Sequence, residues 1–389
     1  MNNFSFHNPT KIVFGEGQIS AIATLIPADA RILLTYGGGS IKKNGVYDQV
    51  IKALEGKTFF EFSGIEPNPH YETCQKAIAL IKEKNIDYLL AVGGGSVVDA
   101  TKLIAAGVNF VGETPDAEPW DILEKHASFT SALPIGCVLT LPATGTESNG
   151  NSVVTKAATQ EKLSFGSPLV YPQFAILDPT TTYSLPTRQI SNGVVDAFVH
   201  IMEQYLTYPV NAKVQDRFAE GLLLTLIEEG PKVLANPNDY AIRANVMWAA
   251  TMALNGLIGV GVPQDWATHM IGHELTAMHG LDHAQTLAIV LPSVMNQQRE
   301  QKRGKLIQYG KRVWNLNNTN EDELIDAAIA ATKNFFEEMG VPTTFKGYGL
   351  DGSSIPALVE NVIRHNPNPL GEKSDITAEV TKKILLAAA

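Results

Sequence analysis

The sequence predicts an α/β domain on a doubly wound parallel sheet, followed by an all-helical domain. Three observations carry this expectation. Short apolar runs alternate with helical periodicity through the first half of the chain, and two of those runs end in Gly-Gly-Gly-Ser. Beyond residue 186, long helical patterns replace the alternation.

The elements follow in order. Residues 31–36, RILLTY, read as a buried strand, and 45–56 as a helix closed by Gly56. Residues 58–64 give a second strand and 70–85 a helix with a charged outer face. YLLAVGG (88–94) is a third strand leading into a helix that begins near Ser96, and IGCVLTLP (135–142) is a strand running into the polar loop ATGTESNGN. After FAILDPTTTYSLP (174–186) the segments 189–206, 214–234, 242–257, 322–340 and 376–388 all carry helical spacing, with Pro179 and Pro186 marking the connection.

At 389 residues the chain has room for two domains and a substantial core. A net charge of −10 argues against nucleic-acid and anionic-membrane partners, which do not attract an acidic surface. No apolar run approaches the roughly 20 residues that span a bilayer, and the N-terminus lacks a signal-peptide profile. Cys74 and Cys137 are too few and too widely spaced for a scaffold or a zinc site, and read as core residues in a reducing compartment. The expectation is a cytoplasmic enzyme.

Both glycine loops fall at the carboxyl ends of strands, where such sheets gather ligands. In AVGGGSVVDATK, glycines let the backbone approach a ligand without a Cβ in the way, and the following helix N-terminus suits a pyrophosphate. Asp99 and Lys102 lie on successive turns of that helix and read as a helix face on the pyrophosphate side. The loop is neither G-x-G-x-x-G nor G-x-x-x-x-G-K-[ST]. In YGGGSIKKNG, no acid follows the strand to bond a ribose 2′-hydroxyl. Small glycines, the Ser40 hydroxyl, Lys42 and Lys43 favour a 2′-phosphate instead, hence NADPH over NADH.

Metal-ligating residues cluster farther on. Asp196 and His200 are four apart in a helical stretch and share a face. His269, His273, His279 and His283, four of the chain's nine histidines, fall within 15 residues. A carboxylate with three imidazoles from this group suits a first-row divalent ion such as Fe²⁺ or Zn²⁺. His279, His7, His126 and His365 read as ordinary structural histidines. HELTAMH is not H-E-x-x-H, so a zincin reading fails on spacing.

Together, D-x-x-x-H at 196–200, H-x-x-x-H at 269–273, His283, GGGSVVDATK, EPNPH (66–70), LPATGTESN and ILDPTTTYSLP resemble the iron-containing (group III) alcohol dehydrogenases across nearly the whole chain. YGGGSIKKNG and ATGTESN look most like the NADPH-dependent butanol dehydrogenase/aldehyde reductase subgroup. The resemblance implies a Rossmann-like dinucleotide-binding domain over 1–183, an all-helical metal-binding and catalytic domain over 184–389, an active site in the cleft between them, and a homodimer. It implies Asp196, His200, His269 and His283 as metal ligands, with His273 near the nicotinamide and substrate. For NADP(H) it implies Gly94, Gly95, Ser96 and Asp99 on the pyrophosphate side. Thr140, Thr144 and Asn151 match positions around the pyrophosphate and nicotinamide ribose, Lys162 a ribose contact, and Asn68 the cofactor-side turn. Gly38, Gly39, Ser40, Lys42 and Lys43 match the 2′-phosphate loop.

Two departures stand out: Asp282-His283-Ala284 where the family often has Pro-His-Gly, and Ala143-Thr144-Gly145-Thr146-Glu147-Ser148 where many members read T-A-G-T-G-S-E. The implied reaction is hydride transfer between NADP(H) and short-chain aldehydes or primary alcohols such as butanal and butanol. A glycerol dehydrogenase-like polyol enzyme is the alternative within the superfamily. The segment 187–285 holds few basic residues, which disfavours a dehydroquinate synthase. Trp266, Met270, Ile271 and Leu275 suit either an apolar substrate channel or plain core.

Overall fold

The structure, a computed structural model, describes residues 1–112 and 114–389. It forms two compact units: His7–Leu185 with Asn238–Met247, and Met1–Phe6 with Pro186–Pro237 and Trp248–Ala389. The chain therefore passes between units more often than a single division after residue 183 would have it. The first six residues belong with the helices, and Asn238–Met247 with the sheet.

In the first unit, Lys11–Phe14 (β1), Arg31–Tyr36 (β2), Thr58–Phe62 (β3), Tyr88–Gly93 (β4), Ile135–Leu139 (β5) and Phe174–Leu177 (β8) form a parallel sheet of order β1-β8-β5-β4-β2-β3. Asn151–Lys156 (β6) and Glu161–Gly166 (β7) make a separate antiparallel hairpin. The helices are Ile22–Leu25 (α1), Val46–Ala53 (α2), Tyr71–Lys84 (α3), Gly95–Gly107 (α4) and Asp121–Glu124 (α5). Every residue of β4 and β5 is buried. That is why these strands read as continuous apolar runs rather than alternating ones.

Sheet order explains why two glycine loops occur together. β2 and β4 are neighbours, with Thr35 opposite Ala91 and Tyr36 opposite Val92. From β2 the chain crosses outward to β3; from β4 it crosses the other way to β5. Their carboxyl ends therefore flank the point where strand order reverses, the crevice in which open α/β sheets hold ligands. β1 and the β6–β7 hairpin were not foreseen. β1 is a four-residue edge strand, and the hairpin turns at residues 157–160, with Gln160 at φ 55°.

The second unit contains Thr187–Tyr205 (α6), Lys213–Ala235 (α7), the end of Tyr240–Ala253 (α8), Ala267–His279 (α9), His283–Gln297 (α10), Arg303–Arg312 (α11), Glu321–Glu338 (α12), Ile355–His365 (α13) and Ala378–Ala388 (α14). α6 is buried continuously from Gly193 to Tyr205, and α10 from Thr286 to Met295. Helices buried on every side belong in an interior, and α6 carries Asp196 and His200 into it, while His283 precedes the buried stretch of α10 and is half-buried. Ile271 and Leu275 belong to an apolar cluster with Ile289, Val290 and Phe345, so they are core. α9 ends at Gly280, whose φ of 68° suits glycine, and Asp282 then opens α10 through a capping box with Gln285.

Candidate metal centre and cofactor cradle

Asp196 and His200 emerge from one face of α6, His269 from the first turn of α9, and His283 as the first residue of α10. One ligand-type atom from each lies within 4.8 Å of all the others. Nε2 of His283 and of His200 stand 3.6 and 3.9 Å from Asp196 Oδ1. These separations are too long for hydrogen bonds, yet near the roughly 3.3–3.6 Å between ligand atoms that each hold one ion at about 2.0–2.2 Å. Nε2 of His269 is buried without a hydrogen-bond partner among the described residues. The donor set and this orphaned nitrogen fit a first-row divalent ion. His273, one turn farther along α9, is buried beside them, its ring 5.4 Å from that of His283 and 6.3 Å from that of His269.

A second set of side chains holds these candidate ligands. Nδ1 of His269 pairs with Glu203 Oε2, and Glu203 Oε1 accepts the Thr268 N–H at 2.6 Å. A carboxylate on one imidazole nitrogen aims the other at a metal. Glu203 O accepts the Asp265 N–H, and Asp265 Oδ1 accepts the Ala267 N–H, closing the first turn of α9 around Trp266. Trp266 has φ 64°, strained for a bulky residue, and its ring lies 5.3 Å from that of His269. Lys302, buried, binds Asp265 and Glu372, each at 2.7 Å, and donates to Leu206 O. At the last candidate ligand, Asp282 is the helix cap that fixes His283, and its carboxylate also accepts from Asn192 at 2.8 Å. A capping side chain thus occupies the place where the family often has proline.

The expected cofactor residues lie in the sheet unit. The Gly94–Gly95 turn packs directly on the loop after β5. A Cβ on Gly95 would sit 2.5 Å from Thr144 Oγ1, and one on Gly94 3.0 Å from Leu141 Cβ. Ser96 lies in the first turn of α4, and the Thr140 N–H donates to Gly93 O at 2.9 Å. Asn68, at φ 54°, accepts from Lys162 Nζ at 2.9 Å, so the residue expected at the cofactor-side turn and the expected ribose contact are brought together. The contact arises because β6 runs alongside the 66–70 turn, with Thr155 N–H on Pro69 O. Gly38 and Gly39 have open space where a Cβ would be, and Gly39 sits at φ 90°.

Two expectations change. Lys102 does not face a pyrophosphate: its buried ammonium donates to Thr146 O and Oγ1, Asn149 O and Oδ1, and Asn151 O, all within 3.1 Å. The Asp99 carboxylate accepts from Thr146 Oγ1 and the Val153 N–H, and burial pushes its pKa up. Both side chains fasten the loop carrying Thr144 and Asn151. Nor is the first loop free of acid. Glu61, on β3, reaches Lys42 at 3.5 Å.

Family models match both parts of the chain: iron-containing alcohol dehydrogenase over residues 9–179, and the C-terminal region of the Fe-containing alcohol dehydrogenase family over 190–389. The chain belongs to the iron-containing alcohol dehydrogenase family. It is 61% identical over 389 residues to the NADPH-dependent aldehyde reductase YqhD of Escherichia coli K12, covering 100% of both chains. It is 39% identical to the probable NADH-dependent butanol dehydrogenase 1 of Bacillus subtilis, again over 100% of both. The crystal structure of E. coli YqhD superposes with a TM-score of 0.98 at 60% identity, covering 100% of this chain and 99% of that one.

In this alcohol dehydrogenase His279 and His365 have ordinary partners. His279 Nε2 lies 2.9 Å from Ser354 Oγ, and His365 Nδ1 lies 2.7 Å from Glu274 Oε1. Sequence reasoning missed Glu203, Asp265, Lys302, Glu372 and Glu61. Glu203 alone carried a signal: it follows His200 by three positions on the same helix, with Asp196 one turn before.

Proposed function

We propose that this enzyme reduces short-chain aldehydes such as butanal to primary alcohols with NADPH, and runs the reverse oxidation with NADP⁺. The observation that carries the reading is the convergence of Asp196, His200, His269 and His283 on one small volume. Residues 1–183 hold the cofactor in this reading, and 184–389 hold the ion. A bound Fe²⁺ or Zn²⁺ supplies Lewis-acid polarisation of a carbonyl oxygen, and the reduced nicotinamide supplies the hydride.

The chain's own residues do the rest. Gly94, Gly95 and Ser96, with Thr140, Thr144 and Asn151, cradle the pyrophosphate and adjoining ribose, where the α4 N-terminus adds its dipole. Lys162 contacts the ribose, and Asn68, on the cofactor-side turn, holds the lysine through their hydrogen bond. Gly38, Gly39, Ser40, Lys42 and Lys43 receive the 2′-phosphate. Asp99 shapes the neighbouring loop. His273 passes the proton that completes the alcohol, an imidazole being suited to give and take protons near neutral pH. The printed names of the relatives, aldehyde reductase and butanol dehydrogenase, favour this over a glycerol dehydrogenase-like activity. The buried free thiols of Cys74 and Cys137 suit a reducing cytoplasm, and the family resemblance supports a homodimer, which sedimentation analysis tests.

Absorbance at the NADPH band, followed with butanal in the metal-loaded enzyme, tests the activity. Butanal-dependent oxidation with a higher kcat/KM for NADPH than for NADH is expected. No turnover, or a preference for NADH, refutes the reading.

A further inference from the structure

The 2′-phosphate loop of the proposed function carries an acid that the primary sequence hides. Glu61 lies opposite Leu34 in the β2–β3 register, near the carboxyl end where Tyr36 leads into the Gly-Gly-Gly-Ser turn. Its Oε2 accepts from the Tyr36 hydroxyl at 2.6 Å and from Lys42 Nζ at 3.5 Å, and its Oε1 accepts from the Tyr47 hydroxyl at 2.8 Å. The Lys42 ammonium also lies over both rings, 5.1 Å from the Tyr36 centroid and 4.5 Å from that of Tyr47. Four side chains thus fix one another around the loop's first lysine.

We propose that Glu61 is a specificity-determining residue that sets how strongly this loop distinguishes cofactors with a 2′-phosphate from those without. The inference rests on the cofactor reading above. With Glu61 ionised, Lys42 and Lys43 give the loop a net charge of one rather than two, and the carboxylate stands 3.5 Å from the ammonium a phosphate would seek. A 2′-phosphate must draw Lys42 away from Glu61 and tolerate the remaining negative charge. A 2′-hydroxyl meets no such cost and can donate to the carboxylate. The two tyrosine hydroxyls and Lys42 outweigh the opposing effect of burial and hold the Glu61 carboxyl below its usual range, which keeps that charge in place. Glu61 therefore tempers NADPH affinity while keeping Lys42 ordered.

The test is equilibrium binding of NADP⁺ and NAD⁺ to the full-length wild type, Glu61→Gln and Lys42→Met. Glutamine retains an acceptor for a tyrosine and removes the charge. Glu61→Gln is expected to tighten NADP⁺ by about two- to fivefold, the scale of a partly exposed charge pair, and to move NAD⁺ less. Weaker NADP⁺ binding, or an equal shift for both cofactors, overturns the inference. Failure of the underlying reading has a different signature: wild type preferring NAD⁺, or Lys42→Met changing both cofactors alike.

Discussion

His269 rests its Nδ1 on the carboxylate of Glu203, a buried residue one turn beyond His200 on the same helix. One helix therefore supplies two candidate ligands, Asp196 and His200, and the group that orients a third. The second Glu203 oxygen is taken by the Thr268 N–H. Glutamine at 203 could serve only one of these donors through its remaining carbonyl. Glu203→Gln is expected to lower metal affinity about 10- to 100-fold, read by competition with a chelating indicator. Unchanged affinity would show that the imidazole is held by packing alone.

Farther from the candidate metal centre, Lys302 joins Asp265 to Glu372, and Asp265 in turn closes the first turn of α9. Removing the lysine leaves two carboxylates buried side by side. Lys302→Met is expected to cost about 3–5 kcal/mol of stability, measured from the urea midpoint. A loss below about 1 kcal/mol would mean that the cluster is solvated in solution.

How much of this was legible beforehand follows from how each residue speaks in one dimension. Asp196 with His200, and His269 with His273, announce a candidate metal cluster through type and helical spacing, whereas the choice of His283 came from the family resemblance, since it lies beyond the helix that ends at Gly280. The glycine loops announce themselves through their place after apolar runs. Lys102 was misread because a lysine beside a phosphate-type loop invites a phosphate contact. Its true acceptors, Thr146, Asn149 and Asn151, lie more than 40 residues away and meet it only through the packing of α4 on β6. Glu61 was overlooked for the same reason. It sits in an ordinary strand, and only the parallel register of β2 with β3 carries it to the loop. Long-range partners of charged groups are set by topology, which local pattern does not encode.

The two kinds of glycine in the proposed cofactor loops separate folding from binding. A methyl on Gly95 would press on Thr144 Oγ1 at 2.5 Å and Cγ2 at 2.7 Å, whereas one on Gly38 would meet nothing within 4 Å. Gly95→Ala is expected to lower thermal stability by about 1–3 kcal/mol and to raise KM for NADPH. Gly38→Ala should leave the unfolding midpoint within about 0.5 kcal/mol of wild type and still raise KM for NADPH, since its methyl enters the space assigned to the ribose phosphate. Unaltered KM in Gly38→Ala would move the 2′-phosphate elsewhere.

Lys102 makes stability depend on pH with a definite sign. Desolvation pushes its ammonium down to about 8, against the opposing pull of Asp99 and Glu147, while its ordinary value is 10.5. Below about pH 8 both native and unfolded chains carry the proton, and the full burial penalty is present. Between there and 10.5 the unfolded chain holds a proton that the native chain has released, so the stability due to this group rises with pH across that window. Lys102→Met has no such proton to release. Urea unfolding of both proteins at pH 7.5 and pH 10 should therefore show the wild type gaining roughly 1–3 kcal/mol on the variant as pH rises. A difference that stays flat would place the ammonium in contact with water, and one that falls would show that the five oxygens around it outweigh its desolvation.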